Sequence, residues 1–109
     1  MNTKMTDREL LESAAKVAYE DLISRCDAEW FLVGLLSGWN PLQNGSAALR
    51  LAIKLQLNIH LGSEAVSVSN ICYKEILSFV WYEGDSQKAI RRAIVMAAAK
   101  IWELSNELS

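Results

Sequence analysis

Few side chains in this sequence are of a type and spacing that could perform chemistry. His60 is the only histidine, and it lies in a stretch where apolar and polar residues alternate. A catalytic base needs a nucleophile and an orienting group beside it, and the sequence identifies neither for His60. We therefore expect a protein that is not an enzyme.

The two cysteines, Cys26 and Cys72, stand far apart and form no CxxC motif. A zinc site needs three or four ligands, and one histidine with two separated cysteines does not offer them at a recognisable spacing. We therefore expect no metal and no cofactor. The sequence allows two states of these cysteines, a single disulfide or two buried thiols. Because residues 1–4 lead into a polar helix and not a secretory signal, we expect reduced thiols in a cytoplasm.

Glycine-rich phosphate-binding loops do not occur in the sequence. The five glycines are scattered and match neither GxxxxGKS/T nor GxGxxG. Such loops bind phosphate through a row of backbone N–H groups, so phosphate binding of that kind is not predicted. A helix N-terminus can also bind an anion, and the helix that starts near Gly45 offers one.

Arg91 and Arg92 form a basic pair within the last predicted helix. Two interpretations are open for Arg91. Its methylene groups could lie along apolar surface while its head group pairs with Glu83 or Asp85 in water. Alternatively, the guanidinium binds an anionic ligand or a partner carboxylate. We favour the first.

Arg50 and Lys54 lie one helical turn apart on the second predicted helix. Like charges at this spacing repel slightly, so these side chains either spread into solvent or face an acidic partner. Trp39 and Trp102 are the tryptophans expected to be partly exposed. Tryptophan and arginine are frequent in binding hot spots, although core filling is the commoner role in a small domain. With Met96 added, the candidate residues for binding a partner or ligand are Trp39, Arg50, Lys54, Arg91, Arg92, Met96 and Trp102.

Composition indicates a single globular domain over residues 1–109. Hydrophobic residues make up 51% of the chain and the formal net charge is −2, so the basic stripe expected of a nucleic-acid-binding protein is missing. The longest apolar stretches, residues 30–36 and 93–99, are far shorter than the roughly 20 residues of a membrane span. We expect neither a nucleic-acid nor a membrane partner.

The first half of the chain predicts two helices. Thr6 and Glu9 form a capping box, with Met5 stapled onto the first turn, and the apolar period then predicts a helix over residues 7–24. Residues 27–39 predict a short strand or a buried loop. A residue before proline avoids the helical region, so the block Trp39-Asn40-Pro41-Leu42 predicts an ordered approach to the second helix.

The second helix is predicted to begin near residues 45–46, with Ser46 as its N-cap. The residues that share one side of this helix are Leu49, Ala52, Ile53 and Gln56, whereas Arg50 and Lys54 lie on another.

The second half of the chain predicts three strands and a long helix. The period changes to two over residues 57–61 and 66–69, which predicts a hairpin, and a third strand over residues 75–82 extends it into an antiparallel meander. Because the third strand is apolar on both faces, we expect it to be the central or most buried one. The fold class is therefore α+β, a three-stranded antiparallel sheet with about three helices in the order α-α-β-β-β-α.

The last helix follows a turn and cap at residues 84–86. The residues predicted to form its inward stripe are Ile90, Ile94, Ala97, Ala98 and Ile101. Residues 93–99 are apolar all round the helix, which predicts burial on two sides. The second side could contact the first helix or a second copy of the chain, so a homodimer through the last helix is one expectation.

Several segments together resemble a group of small uncharacterised proteins of tailed bacteriophages and prophages, similar in layout to the phage ABA sandwich domain family. These segments are Thr6-Asp7-Arg8-Glu9-Leu10-Leu11, Trp39-Asn40-Pro41-Leu42, residues 48–55 and residues 91–95. Residues 43–46 depart from the acidic loop of that pattern, and residues 31–37 are more apolar than it. The resemblance implies helices covering a small antiparallel sheet.

The resemblance also implies a function by genomic context. Small phage accessory proteins without enzymatic motifs often bind and block a host protein, including restriction or CRISPR components. We therefore expect a protein that acts by protein–protein binding, with inhibition of a host defence system as the sharpest form. The alternative is a protein that binds or sequesters a nucleotide-like signal through a helix N-terminus, arginine and tryptophan.

Overall fold

The computed structural model of the chain describes residues 6–19, 38–73 and 75–108, with side chains described as far as residue 105. Its elements, in chain order, are α1 (Asp7–Ala18), α2 (Gly45–Lys54), β1 (Leu57–Leu61), β2 (Ala65–Asn70), β3 (Ser78–Trp81) and α3 (Ser86–Leu108). This is the predicted α-α-β-β-β-α order of an α+β fold, so the expected fold class is confirmed.

The start of α1 is fixed by a capping box between Thr6 and Glu9. The Glu9 N–H donates to Thr6 Oγ1 at 3.1 Å, and the Thr6 N–H donates to Glu9 Oε1 at 2.9 Å. The backbone N–H of Thr6, and then its side chain, lower the pKa of the Glu9 carboxyl because they favour its charged form. The predicted box is confirmed, whereas the predicted staple residue Met5 lies outside the described residues.

α1 ends at Ala18, so the predicted extension to residue 24 is wrong. Tyr19 leaves the helical region with a φ of −122° and caps the last turn. Its ring packs edge-on against Trp39 with 5.9 Å between centroids. The apolar period alone predicts that the helix continues through Tyr19. The contact with Trp39 instead holds Tyr19 in its non-helical conformation at the end of α1. The strand or loop predicted over residues 27–39 falls, as far as residue 37, outside the described part of the chain.

The proline block forms the predicted ordered approach to α2. The Asn40 side chain accepts a hydrogen bond from the N–H two residues on at 3.1 Å, its carbonyl accepts from Asn44 N–H at 2.9 Å, and Pro41 is fully buried. The N-cap of α2 is Asn44, whose side chain accepts from the Ala47 N–H at 3.0 Å. The prediction that Ser46 is the N-cap is therefore wrong. Asn44, which directly precedes the helix, accepts the hydrogen bond from a backbone N–H that has no partner within the first turn.

α2 packs against α3 through one of its faces. Ala48, Leu51 and Ala52 are buried, whereas Leu49 and Ile53 are 57% and 66% exposed. The helix is apolar on more than one side, so its pattern is compatible with two buried faces. Contact with α3 selects the face that packs.

The three strands form the predicted antiparallel meander, in the order β1-β2-β3. The central strand is β2, whose Val66 and Val68 are fully buried. β3 lies at the edge of this sheet and is shorter than predicted, so the prediction that it is the central or most buried strand is wrong. The physical reason is that the described elements cover one face of β3: Ser78 is buried on that face, while Phe79 and Trp81 on the other face are exposed.

A buried asparagine ties the sheet to the end of α2. Asn70 Nδ2 donates to the carbonyl oxygens of Leu55 at 2.8 Å and Gln56 at 3.2 Å, and Asn70 Oδ1 accepts from the Cys72 N–H at 2.7 Å. Gln56 follows α2, is exposed and has a left-handed φ of 53°. A fully satisfied buried amide thus holds the turn between helix and sheet.

α3 lies between the sheet and the other two helices. Ile94 and Ala98 belong to a buried cluster with α1 and α2, whereas Ala93 and Ala97 belong to a second cluster with β2. Burial of residues 93–99 on two sides is therefore confirmed, and α1 and α2 supply the second contact. The small alanine side chains allow this close approach.

The predicted inward stripe of α3 is buried, apart from Ile90, which is half-buried. Asp85 caps the helix, because its carboxylate accepts a hydrogen bond from the Lys88 N–H at 3.0 Å. No helix in the described part of the chain combines the length and the apolar character of a membrane span.

Candidate functional site

The outer face of the sheet, which is turned away from α3, exposes two aromatic side chains. Ser78 faces α3, since its Oγ donates to the Ala93 carbonyl at 2.7 Å. Successive strand residues point to opposite faces, so Phe79 and Trp81 point outward, and they are 51% and 57% exposed. Their rings meet edge to face with centroids 5.1 Å apart, a favoured aromatic geometry. We call Phe79 and Trp81 the outer aromatic pair.

Polar side chains of β1 and β2 lie beside the outer aromatic pair. The strand register places Ser67 between Phe79 and His60, and His60 Nε2 lies 3.2 Å from Ser69 Oγ. A histidine that activates a serine is itself oriented by a third group. No described residue hydrogen-bonds to the other ring nitrogen of His60, so this contact is an exposed hydrogen bond at the rim of the aromatic pair.

A groove of about 450 Å³ lies between β3 and α3. Apolar side chains from three elements or their flanking turns line it, among them Leu10 of α1, Leu77 and the half-buried Met96. The two residues of the outer aromatic pair also reach its margin. We call this cavity the β3 groove.

Charged side chains line the β3 groove as well. Arg92 Nη1 lies 2.9 Å from the Asp7 carboxylate, an exposed pair of the kind that contributes at most about 1 kcal/mol. Lys100 lies 3.7 Å from Glu103, and Glu83 makes no ion pair with a described residue. The two cations and two anions of the lining cancel, so the groove has no net formal charge to select a charged ligand.

A second, smaller cavity of about 170 Å³ forms where the end of α1 meets α2. Trp39, Arg50 and Lys54 line it together with Tyr19, and Lys54 Nζ lies 5.6 Å from the centre of the Tyr19 ring. This is a cation–π distance. The structure thus brings three of the predicted binding residues together at one place, which we call the Trp39 corner.

Arg91 and Trp102 make contacts within the domain. Arg91 Nε donates to the Leu42 carbonyl at 2.9 Å, so this side chain ties α3 to the proline block and does not pair through Nε with Glu83 or Asp85. Trp102 is half-buried, and Lys16 Nζ lies 5.6 Å from the centre of its ring. Both contacts are intramolecular, which leaves these two residues apart from either cavity.

Cys72 is a free and exposed thiol, whereas Cys26 lies outside the described residues. Among the residues that the structure describes, no group of three or more histidine, cysteine, aspartate or glutamate side chains is placed to hold a metal ion.

No family model matches the chain, and neither the curated proteins nor the solved structures contain a significant match. The resemblance to phage proteins therefore stays a prediction.

The sequence pattern does not identify the outer aromatic pair. Because the third predicted strand is apolar on both faces, the pattern predicts a central or buried strand and does not distinguish its two faces. The signal that could have identified them is the alternation itself: Ser78 and Val80 suit a face packed on small alanine residues, which leaves the bulky Phe79 and Trp81 for the opposite face.

Proposed function

We propose that the chain is a protein-binding domain whose partner docks on the outer aromatic pair. The observation that carries this proposal is that Phe79 and Trp81 stay half exposed on a sheet face against which no described element packs. Aromatic side chains dominate binding hot spots because each buries a large area at little entropic cost. His60, Ser67 and Ser69 supply a polar rim that can hydrogen-bond to the partner.

The domain does not depend on the outer aromatic pair for its core. The inner face of the sheet already packs on α3 through Val66 and Val68. Large apolar side chains left exposed next to each other on a stable scaffold are typical of an interaction surface.

The sharper hypothesis concerns the identity of the partner. The resemblance to phage accessory proteins favours a host defence protein as the partner, such as a restriction or CRISPR component. The chain would bind and block that protein in a bacterial cytoplasm. This part of the proposal rests on resemblance alone.

A capture experiment tests the proposal. The wild-type chain, Phe79→Thr/Trp81→Thr and the control Leu49→Gln/Ile53→Gln are each immobilised and exposed to a bacterial lysate, and retained proteins are quantified by mass spectrometry. The control removes similarly exposed apolar side chains from α2. Threonine suits a strand and glutamine a helix, so each variant keeps its local propensity.

We expect one protein to be retained by the wild type and by the control, and its retention to fall about tenfold or more with the outer-pair variant, as for the loss of a hot spot. The purified partner should then bind the wild type directly in a calorimetric titration. Equal retention by all three chains, or no specific retention by the wild type, would contradict the proposal.

A second candidate function, the binding of a small anionic aromatic ligand, is favoured by the Trp39 corner. Arg50 and Lys54 make no ion pair with a described residue, and two aromatic rings lie beside them. The cavity volume of about 170 Å³ lies below the roughly 300–1,000 Å³ of ordinary ligand pockets, so this function ranks second.

Thermal-shift screening of nucleotides tests the second candidate. A ligand present at 100 times its dissociation constant stabilises a protein by about 2.7 kcal/mol, and Arg50→Ala/Lys54→Ala should abolish the shift. A flat response across the panel would rule this function out.

A further inference from the structure

Among the residues that the structure describes, β3 pairs with β2 alone, so its other edge has no described neighbour, and we call it the free edge. In the pairing with β2, the Tyr82 N–H donates to the Glu64 carbonyl at 3.0 Å. Antiparallel strands alternate between residues whose backbone groups face the neighbour and residues whose groups face away. Tyr82 and Val80 therefore face β2, while the N–H and C=O groups of Phe79 and Trp81 face the free edge. No described residue bonds to them.

The free edge of β3 is complementary to itself. If two copies of β3 pair antiparallel about a two-fold axis through Val80, Phe79 of each copy lies opposite Trp81 of the other. Both residues then face the partner strand, so every free N–H and C=O of the pair is satisfied. A two-fold interface needs a surface that complements itself in this way.

The side chains agree with this register on the outer face. Directly opposed residues of antiparallel strands have Cβ atoms about 4.5–5.5 Å apart, and aromatic pairs at that distance stabilise a sheet. Phe79 and Trp81 would therefore meet the Trp81 and Phe79 of the second copy. Proteins usually protect an exposed strand edge with a charged side chain, a proline or a covering element. β3 contains neither a charged residue nor a proline, and no described element covers its free edge.

The charges of the β3 groove are complementary under the same symmetry. α3 runs back along β3, since Ser78 bonds to Ala93, so Lys100 lies beyond the first residue of the strand and Glu83 beyond the last. A two-fold rotation about Val80 brings Glu83 of one copy towards Lys100 of the other. Glu83 has no ion pair with a described residue, and Lys100 has only the 3.7 Å contact with Glu103.

We propose that two copies of the chain pair through the free edges of β3 to form a symmetric dimer with a continuous six-stranded sheet. This proposal goes beyond the proposed function, because backbone pairing at the free edge joins the two copies, while the rings touch one another at their sides and keep their outward faces for a partner. It also differs from a homodimer through residues 93–99 of α3, which are covered by α1, α2 and the sheet.

The available area indicates a weak dimer. An aromatic side chain buries about 150–250 Å² in full, so even complete burial of the half-exposed rings of two copies would supply only roughly 300–550 Å² of the 1,200 Å² or more typical of a stable interface. The walls of the two β3 grooves supply the remainder. We therefore expect dissociation in the micromolar range.

Sedimentation equilibrium and amide hydrogen exchange of the full chain test the dimer together. Between about 1 µM and 500 µM the mass should move from monomer to dimer by mass action. Over that range, exchange at the Phe79 and Trp81 amides should slow about tenfold or more, because these amides become hydrogen-bonded. The Val80 amide, which pairs with β2, is the internal control and should stay protected throughout.

A charge swap provides a second readout on exposed side chains. Lys100→Glu should weaken the dimer about tenfold, and adding Glu83→Lys should restore it. A monomer at the highest concentration, a dimer whose Phe79 and Trp81 amides still exchange fast, or a double variant as weak as the single one would each overturn the proposal. A monomer that still captures a partner through the outer aromatic pair would overturn the dimer and leave the proposed function standing. A dimer that captures no partner would support the dimer and contradict the proposed function.

Discussion

The inner and outer faces of the same small sheet carry opposite kinds of side chain. Val66 and Val68 of the inner face are fully buried, whereas Phe79 and Trp81 of the outer face are 51% and 57% exposed. The two valines of β2 pack because their short side chains fit against the alanine residues of α3. The larger residues stay outside, where no described element meets them.

This difference separates folding from binding along a single strand. In β3, Ser78 bonds to α3 and is buried, while Phe79 next to it is exposed. A substitution at one position should therefore affect stability, and a substitution at its neighbour should affect partner binding. Neighbouring residues on β2 provide the same contrast, so each inner-face variant has an outer-face control.

The largest expected effect is at Asn70. Asn70→Ala removes the amide that bonds to the carbonyls of Leu55 and Gln56 and to the Cys72 N–H. Leaving partly buried carbonyls unsatisfied costs about 1–3 kcal/mol per group, so the free energy of unfolding in urea should fall by about 3 kcal/mol. Ser69→Ala, which loses only an exposed contact with His60, should change it by less than about 0.5 kcal/mol. If Asn70→Ala lowered the free energy of unfolding by less than about 1 kcal/mol, the claim that inner-face residues serve folding would be contradicted.

A smaller effect is expected from Val68→Ala on the same face. Deleting two buried methyl groups costs roughly 2 kcal/mol once the residual cavity is included. The adjacent outer-face variant Ser67→Ala should be nearly neutral in the same urea titration. If both variants destabilised the protein equally, the two faces would contribute alike to folding and the distinction drawn between them would fail.

Much of the fold follows from local patterns in the sequence. The capping box at Thr6 and Glu9, the strand meander and the doubly buried run of α3 each depend on residues close together in the chain, and each is confirmed. The end of α1 does not follow in this way. It depends on the contact of Tyr19 with Trp39, a residue distant in sequence.

The candidate site was predictable only in part. Arg92 and Met96 do line the β3 groove, and Trp39, Arg50 and Lys54 do share a corner. The outer aromatic pair was not predictable in the same way, because a strand that is apolar on both faces suits the centre of a sheet as well as an edge with an exposed binding face. Strand order is set by tertiary packing, which the local pattern does not contain.

The most direct test of the central claim, that the outer aromatic pair serves binding and not folding, is the unfolding free energy of Phe79→Thr/Trp81→Thr, measured in urea at low micromolar concentration. Threonine keeps strand propensity, and the pair lies outside the buried clusters. We predict a change within about 1 kcal/mol of the wild type, alongside the loss of partner capture. A loss of about 3 kcal/mol or more, as large as that expected for Asn70→Ala, would show that the aromatic pair belongs to the folding core and would contradict the claim.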